Sequence, residues 1–376
     1  MKHYIYADNA ATTEIDIDAF NIMKSFLLNE YGNPSQPYSL SRTPKQAIKE
    51  ARQSIASCIG ADSDEIYFTS GGTESDNWAI KSMALFINQN TNIITSEIEH
   101  HAILNSCLSL EKMGCSVLYL SPDKSGTITP DELESKITNN TRLVSVMLAN
   151  NELGTIQPIK KLCEIAHKHN ALFHTDAVQA VGHINIDVHD LDIDFLSASA
   201  HKFNGAKGTG FLYIKKGTEI YPFMDGGSQE SALRAGTENV AGIVCMAAAL
   251  KNNILNIEEN QKHIRKLETK LLSMIQAYTL NYIKNGGENT LPGLISLSFP
   301  SFDGEAILHR MDLMGIALST GSACDSKSSK ISHVLKAIKL DEHIAKGTVR
   351  ISLGKNNTEE DVEKIATALI KILKKA

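Results

Sequence analysis

Short apolar runs and amphipathic helical patterns alternate along this chain from residue 66 to about residue 214. The runs predict strands over residues 66–69, 92–95, 116–120, 143–148, 172–176 and 195–200, with a further strand opening at Gly210. Strands that alternate with helices in this way favour a mostly parallel sheet covered by helices, and ligands bind such sheets at the carboxyl ends of the strands. The sequence therefore predicts an α/β fold with a site along one sheet edge.

Polar side chains occupy these predicted strand ends. Thr73, His100, Asn151, Asp176 and Lys202 all fall at or just beyond the end of a strand. Their shared position predicts that they meet at one site.

Lys202 follows the small-residue strand 195–200 and precedes a glycine-rich loop. A partly desolvated lysine can act as a nucleophile and form a Schiff base with an aldehyde, whereas a solvated lysine would merely end the strand. Asp176 ends the preceding strand and offers a carboxylate that can keep a pyridine nitrogen protonated. Together the two residues favour a site for pyridoxal 5′-phosphate (PLP).

Two further positions fit that cofactor. Gly72 and Thr73 lie at a strand-to-helix junction, where backbone N–H groups at the helix start can bind a phosphate; the alternative is an ordinary N-cap. His100 precedes a helix, where it can stack on a cofactor ring and move a proton near neutral pH, or simply be a surface or capping residue.

Asn151 and Arg350 are candidate substrate ligands. The amide of Asn151 can bind a ring hydroxyl or a carboxylate, although it could equally be a turn residue. Arg350 is a charge within the apolar strand 348–352, and it needs a partner: a substrate α-carboxylate or a structural ion pair.

Cys324 lies in the small and polar segment 318–330, unlike a core cysteine. We expect this segment to be an exposed, mobile loop that can bring a reactive thiol to a substrate. Lys327 and Lys330 would favour the thiolate and Asp325 would oppose it. The other five cysteines are scattered without zinc-like spacing, so we expect buried free thiols and no metal site.

Beyond residue 255 the pattern changes to α+β, with strands over residues 294–299, 316–319 and 348–352 and helices over residues 304–314, 330–338 and 358–373. We predict a large domain, 15–255, and a smaller domain formed by 1–14 and 256–376 that carries the cysteine loop.

Charge and hydropathy exclude some classes of function. The net charge is −6, from 37 basic and 43 acidic side chains, which argues against nucleic acid as the primary ligand. No apolar run reaches the roughly 18–20 residues that span a bilayer, and no signal-peptide core follows Met1. We therefore expect a cytoplasmic protein that does not engage a membrane.

The motifs together resemble the cysteine desulfurases of the NifS/IscS type, PLP enzymes of fold type I in the class-V aminotransferase family. The resemblance rests on SAHK at 199–202, HTDAVQ at 174–179, TSGGTES at 69–75, EH at 99–100, NNELG at 150–154 and STGSAC at 319–324. It covers residues 5 to 370, in family order. Asp325 departs from the pattern, since this group usually has threonine after the cysteine.

The resemblance implies the following roles. Lys202 carries PLP, Asp176 holds the pyridine nitrogen, Gln179 contacts the ring hydroxyl and His100 stacks on the ring. The phosphate is bound by Gly72, Thr73, Ser199 and His201, and Thr237 reaches the phosphate of the partner subunit in a homodimer. Asn151 and Arg350 bind the substrate carboxylate.

The resemblance also implies a reaction: L-cysteine gives L-alanine and a persulfide on Cys324, whose sulfur passes to an acceptor protein such as an iron–sulfur scaffold or a sulfurtransferase. The alternatives are another PLP enzyme, namely a selenocysteine lyase or an aminotransferase, and a non-catalytic sulfur-relay scaffold.

Overall fold

The computed structural model describes residues 4–83, 91–278, 281–320 and 331–374. Its strands are β1 (Ile5–Tyr6), β2 (Ile66–Thr69), β3 (Asn92–Ser96), β4 (Ser116–Leu120), β5 (Thr141–Ser145), β6 (Leu172–Asp176), β7 (Phe195–Ser199), β8 (Gly210–Ile214), β9 (Ile283–Asn285), β10 (Leu294–Ser298), β11 (Ile316–Ala317) and β12 (Thr348–Ser352). Its helices are α1 (Ile17–Leu28), α2 (Arg42–Ile59), α3 (Gly72–Met83), α4 (His101–Lys112), α5 (Pro130–Glu134), α6 (Ile159–Lys168), α7 (Val188–Leu191), α8 (Val240–Leu255), α9 (Ile257–Ala277), α10 (Gly304–Leu313), α11 (His333–Ala337), α12 (Glu342–Ala345) and α13 (Glu359–Lys374).

The main sheet has seven strands in the order β2-β8-β7-β6-β5-β3-β4. Neighbouring strands from β7 to β4 are parallel, whereas β8 is antiparallel to both β7 and β2. Because β8 is antiparallel to both of its neighbours, β2 and β7 run in the same direction. The carboxyl ends of β2, β3, β5, β6 and β7 therefore share one edge, which confirms the predicted mostly parallel α/β sheet.

Helices cover both faces of this sheet because alternate strand residues point to opposite sides. On β7, Phe195 packs in a cluster with Trp78 and Ile103 of α3 and α4. The next residue, Leu196, packs on the other face in the cluster that contains Ile55 and Leu250 of α2 and α8. Every residue of β7 is buried, as expected for a strand covered on both faces.

A smaller antiparallel sheet has the order β12-β10-β9. Its core is a separate hydrophobic cluster that includes Leu271 of α9 and Leu369 of α13. The chain start joins the same cluster through Ile5 and Ala7, because β1 pairs with β11 and Asp8 bridges to Ser352. Residues 5–8 thus lie beside β11 and the end of β12.

The structure differs from the sequence patterns at several places. Helix α1 was not predicted, because its apolar residues do not form one buried stripe: Ile17 is 67% exposed and Leu28 is 62% exposed. The strand predicted over 143–148 ends at Ser145, and the one predicted over 316–319 ends at Ala317. Within the described residues, the helix predicted over 330–338 begins only at His333, after the N-cap Ser332.

Among the described residues, no single helix has both the length and the apolar character of a membrane span. The bent pair α8 and α9, with 71° between the two helices, passes the same test by length and composition alone.

Candidate active site

Lys202 lies at the carboxyl edge of the main sheet, in a 3₁₀ turn over Ala200–Lys202 that directly follows β7. The side chain is half-buried, and its Nζ donates to the carbonyl oxygens of Ala10 and, at 2.9 Å, of Ala11. The chain start therefore forms one wall around the amine, in the small-residue turn that follows β1.

Asp176 ends β6, the strand next to Lys202's own, and its partner in the parallel register is Ser197. The residue is 5% exposed, and one carboxylate oxygen accepts from the Val178 N–H at 2.9 Å. Burial raises the pKa of the Asp176 carboxyl, while the nearby His100 and Lys202 oppose that rise. A positively charged group bound here would stabilise the ionised carboxylate.

A second carboxyl, which sequence reasoning missed, lies beside Asp176. Asp76 projects from α3 and is 1% exposed, and carboxylate oxygens of Asp76 and Asp176 and a ring nitrogen of His100 all lie within 4.8 Å of one another. Burial and the neighbouring Asp176 raise the pKa of Asp76 well above its ordinary value. Asp76 consequently favours the protonated form, and a negative charge on either carboxyl disfavours a charge on the other.

His100 is the N-cap of α4, and its Nδ1 accepts from the N–H of Ala102 at 3.1 Å. Because Nδ1 is an acceptor, the neutral ring carries its proton on Nε2. Burial lowers the pKa of His100, although Asp176 acts in the opposite direction. The imidazole is therefore neutral near pH 7, and an aromatic ring of that kind can stack on another flat ring.

A cavity of about 340 Å³ opens at the start of α3 and is lined by Thr12, Ser70, Gly71, Gly72, Thr73, Glu74, Ser199, His201, Lys207 and Gly208. A Cβ added to Gly72 would lie 2.5 Å from Val178 Cγ2. Only glycine therefore fits against Val178, which lies in the turn after β6. Lys207 adds a positive charge, and burial with the neighbouring lysines lowers the pKa of His201 to about 4. Free N–H groups at a helix start, hydroxyls and a lysine are the donors that a phosphate requires.

Gln179 lies close to this site and is 8% exposed. Its Nε2 donates to the carbonyl oxygen of Ala10 at 2.9 Å, the same oxygen that accepts from Lys202. The predicted contact of Gln179 with a ring hydroxyl stays a prediction.

Arg350 in β12 is 3% exposed and makes a structural ion pair, the alternative that the sequence left open. Its Nη2 donates to Asp8 Oδ1 at 2.8 Å, and its Nη1 donates to the carbonyl oxygen of Asn151 at 2.9 Å. The buried Nε has no hydrogen-bond partner among the described residues. Arg350 and Asn151 are thus together, and the guanidinium keeps one buried donor that no described residue satisfies.

One predicted residue lies outside this cavity, and another is not among the described residues. Thr237 is exposed and does not line the cavity at the start of α3. Cys324 falls outside the described residues, as do residues 321–330 of the predicted exposed segment 318–330. In the described part of that segment, Leu318 and Ser319 are buried rather than exposed, because Ser319 pairs with Arg350 of β12.

These residues fit PLP on grounds of shape and charge. One sheet edge carries the half-buried amine of Lys202, the buried carboxylate of Asp176 beside the neutral imidazole of His100, and the cavity at the start of α3. We call this cavity the phosphate cradle. Glycine at position 72 lets the start of α3 pack closely against Val178, next to that cavity. The fold and this set of donors define a PLP-dependent enzyme of fold type I.

Comparison with known proteins agrees. Residues 5–365 match the family described as aminotransferase class-V, and the chain belongs to that family. It is 46% identical to the cysteine desulfurase IscS of Dictyoglomus turgidum, over 100% of this chain and 96% of the relative. Within the class-V aminotransferases, the chain therefore belongs to the cysteine desulfurases.

Solved structures give the same assignment. A NifS-like protein superposes with a TM-score of 0.94 at 38% identity, with 100% of both chains covered. A structure described as SspA in complex with cysteine superposes with a TM-score of 0.84 at 36% identity, with 94% of this chain and 100% of the other covered.

Proposed function

We propose that this protein removes sulfur from L-cysteine, releases L-alanine and passes the sulfur through Cys324 to an acceptor protein. The observation that carries the proposal is the meeting of Lys202, Asp176 and His100 at one sheet edge, beside the cavity at the start of α3 that offers phosphate donors. Membership in the cysteine desulfurase family supports the reaction, and the solved relative in complex with cysteine supports the substrate.

Residues at or just after the carboxyl ends of β2, β3, β6 and β7 would hold the cofactor. We propose that Lys202 carries PLP, that Asp176 pairs with its pyridine nitrogen, and that His100 stacks on its ring. Gln179 would donate to the ring hydroxyl. The phosphate would bind in the cradle through Gly72, Thr73, Ser199 and His201. When bound, PLP supplies an electron sink next to the substrate Cα.

The substrate carboxylate is assigned to Arg350 and Asn151. The free Nε of Arg350 supports this role, since a buried donor without a partner is costly and a carboxylate would satisfy it. Asp8 would hold the guanidinium plane in place through its contact with Nη2. The carboxylate would then fix L-cysteine so that its amine faces the Lys202 side of the site.

Proton movement and sulfur transfer fall to three side chains. Once substrate has replaced it on the cofactor, the amine of Lys202 would take the Cα proton of the substrate. His100 holds a proton at Nε2 that it could donate during the reaction. The Cys324 thiolate would attack the substrate sulfur, so that an S–S bond forms while the C–S bond breaks. The β-carbon would then take a proton, the Lys202 ammonium would return its proton to Cα, and alanine would leave.

The organisation of the protein is part of the proposal. We propose a large domain over 15–255 and a smaller domain over 1–14 and 256–376, supported by their separate hydrophobic clusters. We further propose a homodimer, in which the exposed Thr237 would reach the partner's phosphate. Exposed apolar residues of α1, including Ile17, Leu27 and Leu28, offer surface for subunit contact.

We also propose that the protein works in the cytoplasm and delivers sulfur to an iron–sulfur scaffold or a sulfurtransferase. The name of the relative from Dictyoglomus turgidum supports a link to iron–sulfur cluster assembly. The described cysteines Cys58, Cys107, Cys115, Cys163 and Cys245 are all free thiols, as expected in a reducing compartment.

The test is a stoichiometric assay with the full-length protein and L-cysteine. Alanine and protein-bound sulfur should form in equal amounts in the first turnover without a reductant, and alanine should form continuously once a thiol acceptor is added. Pyruvate or another keto acid in place of alanine would point to an aminotransferase and overturn the proposal.

A further inference from the structure

The loop over residues 229–236 has an unusual backbone. Glu230, Ser231 and Ala232 have φ values of 44°, 58° and 62°, so three successive non-glycine residues are left-handed. L-amino acids rarely adopt this conformation, because the Cβ then approaches the following carbonyl oxygen. Such a loop persists only where side-chain contacts hold it in place.

Glu230 makes the contact at the first end of the loop. Its side chain is 4% exposed, and its carboxylate accepts from Arg52 at 2.8 and 2.6 Å and from the Phe68 N–H at 2.9 Å. The Arg52 guanidinium also lies 4.4 Å from the centre of the Phe68 ring. These bonds fix the loop to α2 and β2.

Arg234 makes the contact at the other end, and its partner belongs to the phosphate cradle. Arg234 Nε donates to Glu74 Oε1 at 2.8 Å and Nη2 donates to Oε2 at 3.2 Å. Glu74 Oε2 also accepts from the Ser70 N–H at 2.9 Å. The Glu74 carboxylate thus ties the loop to the turn that leads into Gly71 and Gly72.

Glu74 presents a difficulty for a phosphate, because it lines the same cavity and carries a negative charge. Burial alone would raise the pKa of Glu74, but hydrogen bonds from Arg234 and Ser70 hold the pKa below its ordinary value. The side chain is only 10% exposed, so water screens this charge weakly. Arg234, which does not line the cavity, neutralises it.

We infer that Arg234 is a positioning residue for the cofactor phosphate: by neutralising Glu74 and holding the Ser70–Gly72 turn, it sets phosphate affinity without touching the phosphate. This inference rests on the proposed function, because it takes the anion to be the phosphate of PLP. It predicts an effect on ligands that carry a phosphate and none on the same aldehyde without one.

The experiment compares PLP with pyridoxal, which lacks the phosphate. Full-length apo-protein, prepared with hydroxylamine, is titrated with each aldehyde and followed by absorption. Arg234→Ala should weaken PLP binding by about 10-fold to 100-fold, because a buried carboxylate loses its partner and faces the phosphate. Pyridoxal binding should change by less than about 2-fold, since no phosphate meets that carboxylate.

A double variant tests the charge argument. Adding Glu74→Gln to Arg234→Ala removes the unpaired charge and should restore most of the PLP affinity. Arg234→Lys keeps the charge but loses the two-bond geometry, so it should lower the affinity for PLP by less than Arg234→Ala does and leave the affinity for pyridoxal unchanged. This variant also replaces Arg234→Ala in the test if Arg234→Ala does not fold. Arg265→Ala is the matched control, since it breaks the Arg265–Glu268 pair, at 2.9 Å, outside the cradle.

The outcomes separate the two claims. An equal loss for both aldehydes, no loss for either, or a double variant as weak as Arg234→Ala would overturn the inference. If the wild-type protein bound neither aldehyde, the proposed function itself would fail.

Discussion

Asp76 and Asp176 lie side by side beneath the sheet edge, one from a helix and one from a strand, and both are buried. Two such carboxyls do not both ionise at neutral pH without a positive partner, so one holds a proton. Burial raises the pKa of both carboxyls, and that of Asp76 well above its ordinary value; we therefore assign the proton to Asp76 and propose Asp176 as the anion that pairs with a pyridinium nitrogen.

This relationship predicts unequal effects of the same substitution. Asp76→Asn replaces a neutral acid by a neutral amide and should keep alanine formation within about 5-fold of wild type, whereas Asp176→Asn should lower it by about 100-fold or more because the charge is lost. Steady-state rates and absorption spectra of the bound cofactor check both. Equal effects of the two substitutions would contradict the assignment.

Arg350 should control substrate binding through its fork of donors. Arg350→Lys keeps the charge but loses the planar geometry and the orphaned Nε, so we expect KM for L-cysteine to rise about 10-fold or more. The cofactor spectrum should not change. Arg265→Lys, made at an ion pair remote from the site, should leave KM as it is; an unaltered KM in Arg350→Lys would show that Arg350 is only a structural residue.

Glu99 should make the stability of the protein fall as the pH rises. Its carboxyl is fully buried, accepting from Ser96 Oγ at 2.5 Å and Met147 N–H at 2.9 Å, and burial raises its pKa from 4.5 to about 8. Between these values the folded state holds a proton that the unfolded state has released. The free energy of unfolding should therefore fall with rising pH, by up to about 1.4 kcal/mol per pH unit for this one proton.

Denaturant unfolding of wild type and Glu99→Gln between pH 5 and pH 8 measures that contribution. The free energy of unfolding of wild type, relative to that of Glu99→Gln, should decrease steadily from pH 5 to pH 8. Parallel curves would mean that Glu99 does not take up a proton on folding.

Cys324 should be required for sulfur release and not for cofactor binding. Cys324→Ser should abolish persulfide formation and lower alanine production by about 100-fold or more, because no thiolate attacks the substrate sulfur, with the cofactor spectrum retained. Cys58→Ser is the control, since burial raises the pKa of the Cys58 thiol to about 11. Sulfur release at the wild-type rate from Cys324→Ser would favour a selenocysteine-lyase-like or nonspecific reaction.

The main sheet and several of its polar ends could be predicted because their signals are local. A buried strand such as β7 is a short apolar run, and Lys202 follows it directly in the sequence. The family motifs added the phosphate residues, and the structure brings Gly72, Thr73, Ser199 and His201 around one cavity.

Other features depend on contacts between distant parts of the chain, which local patterns do not record. Ala10 is 192 residues from Lys202, and Asp8 is 342 residues from Arg350, so neither partner could be read from the sequence. Asp76 had a weak signal: it is an acid on the apolar side of α3, between Ser75 and Trp78 that are both fully buried. Helix α1 lacked the usual signal, because much of its apolar surface is exposed.

The central claim, that Lys202 carries the cofactor, is tested most directly by reduction and peptide mapping. The full-length protein is loaded with PLP, reduced with borohydride, digested and analysed by mass spectrometry, with Lys202→Ala treated in parallel. We predict that the pyridoxyl adduct lies on Lys202 alone and is absent from the variant. An adduct on another lysine, such as Lys207, or none on the wild-type protein would contradict the account.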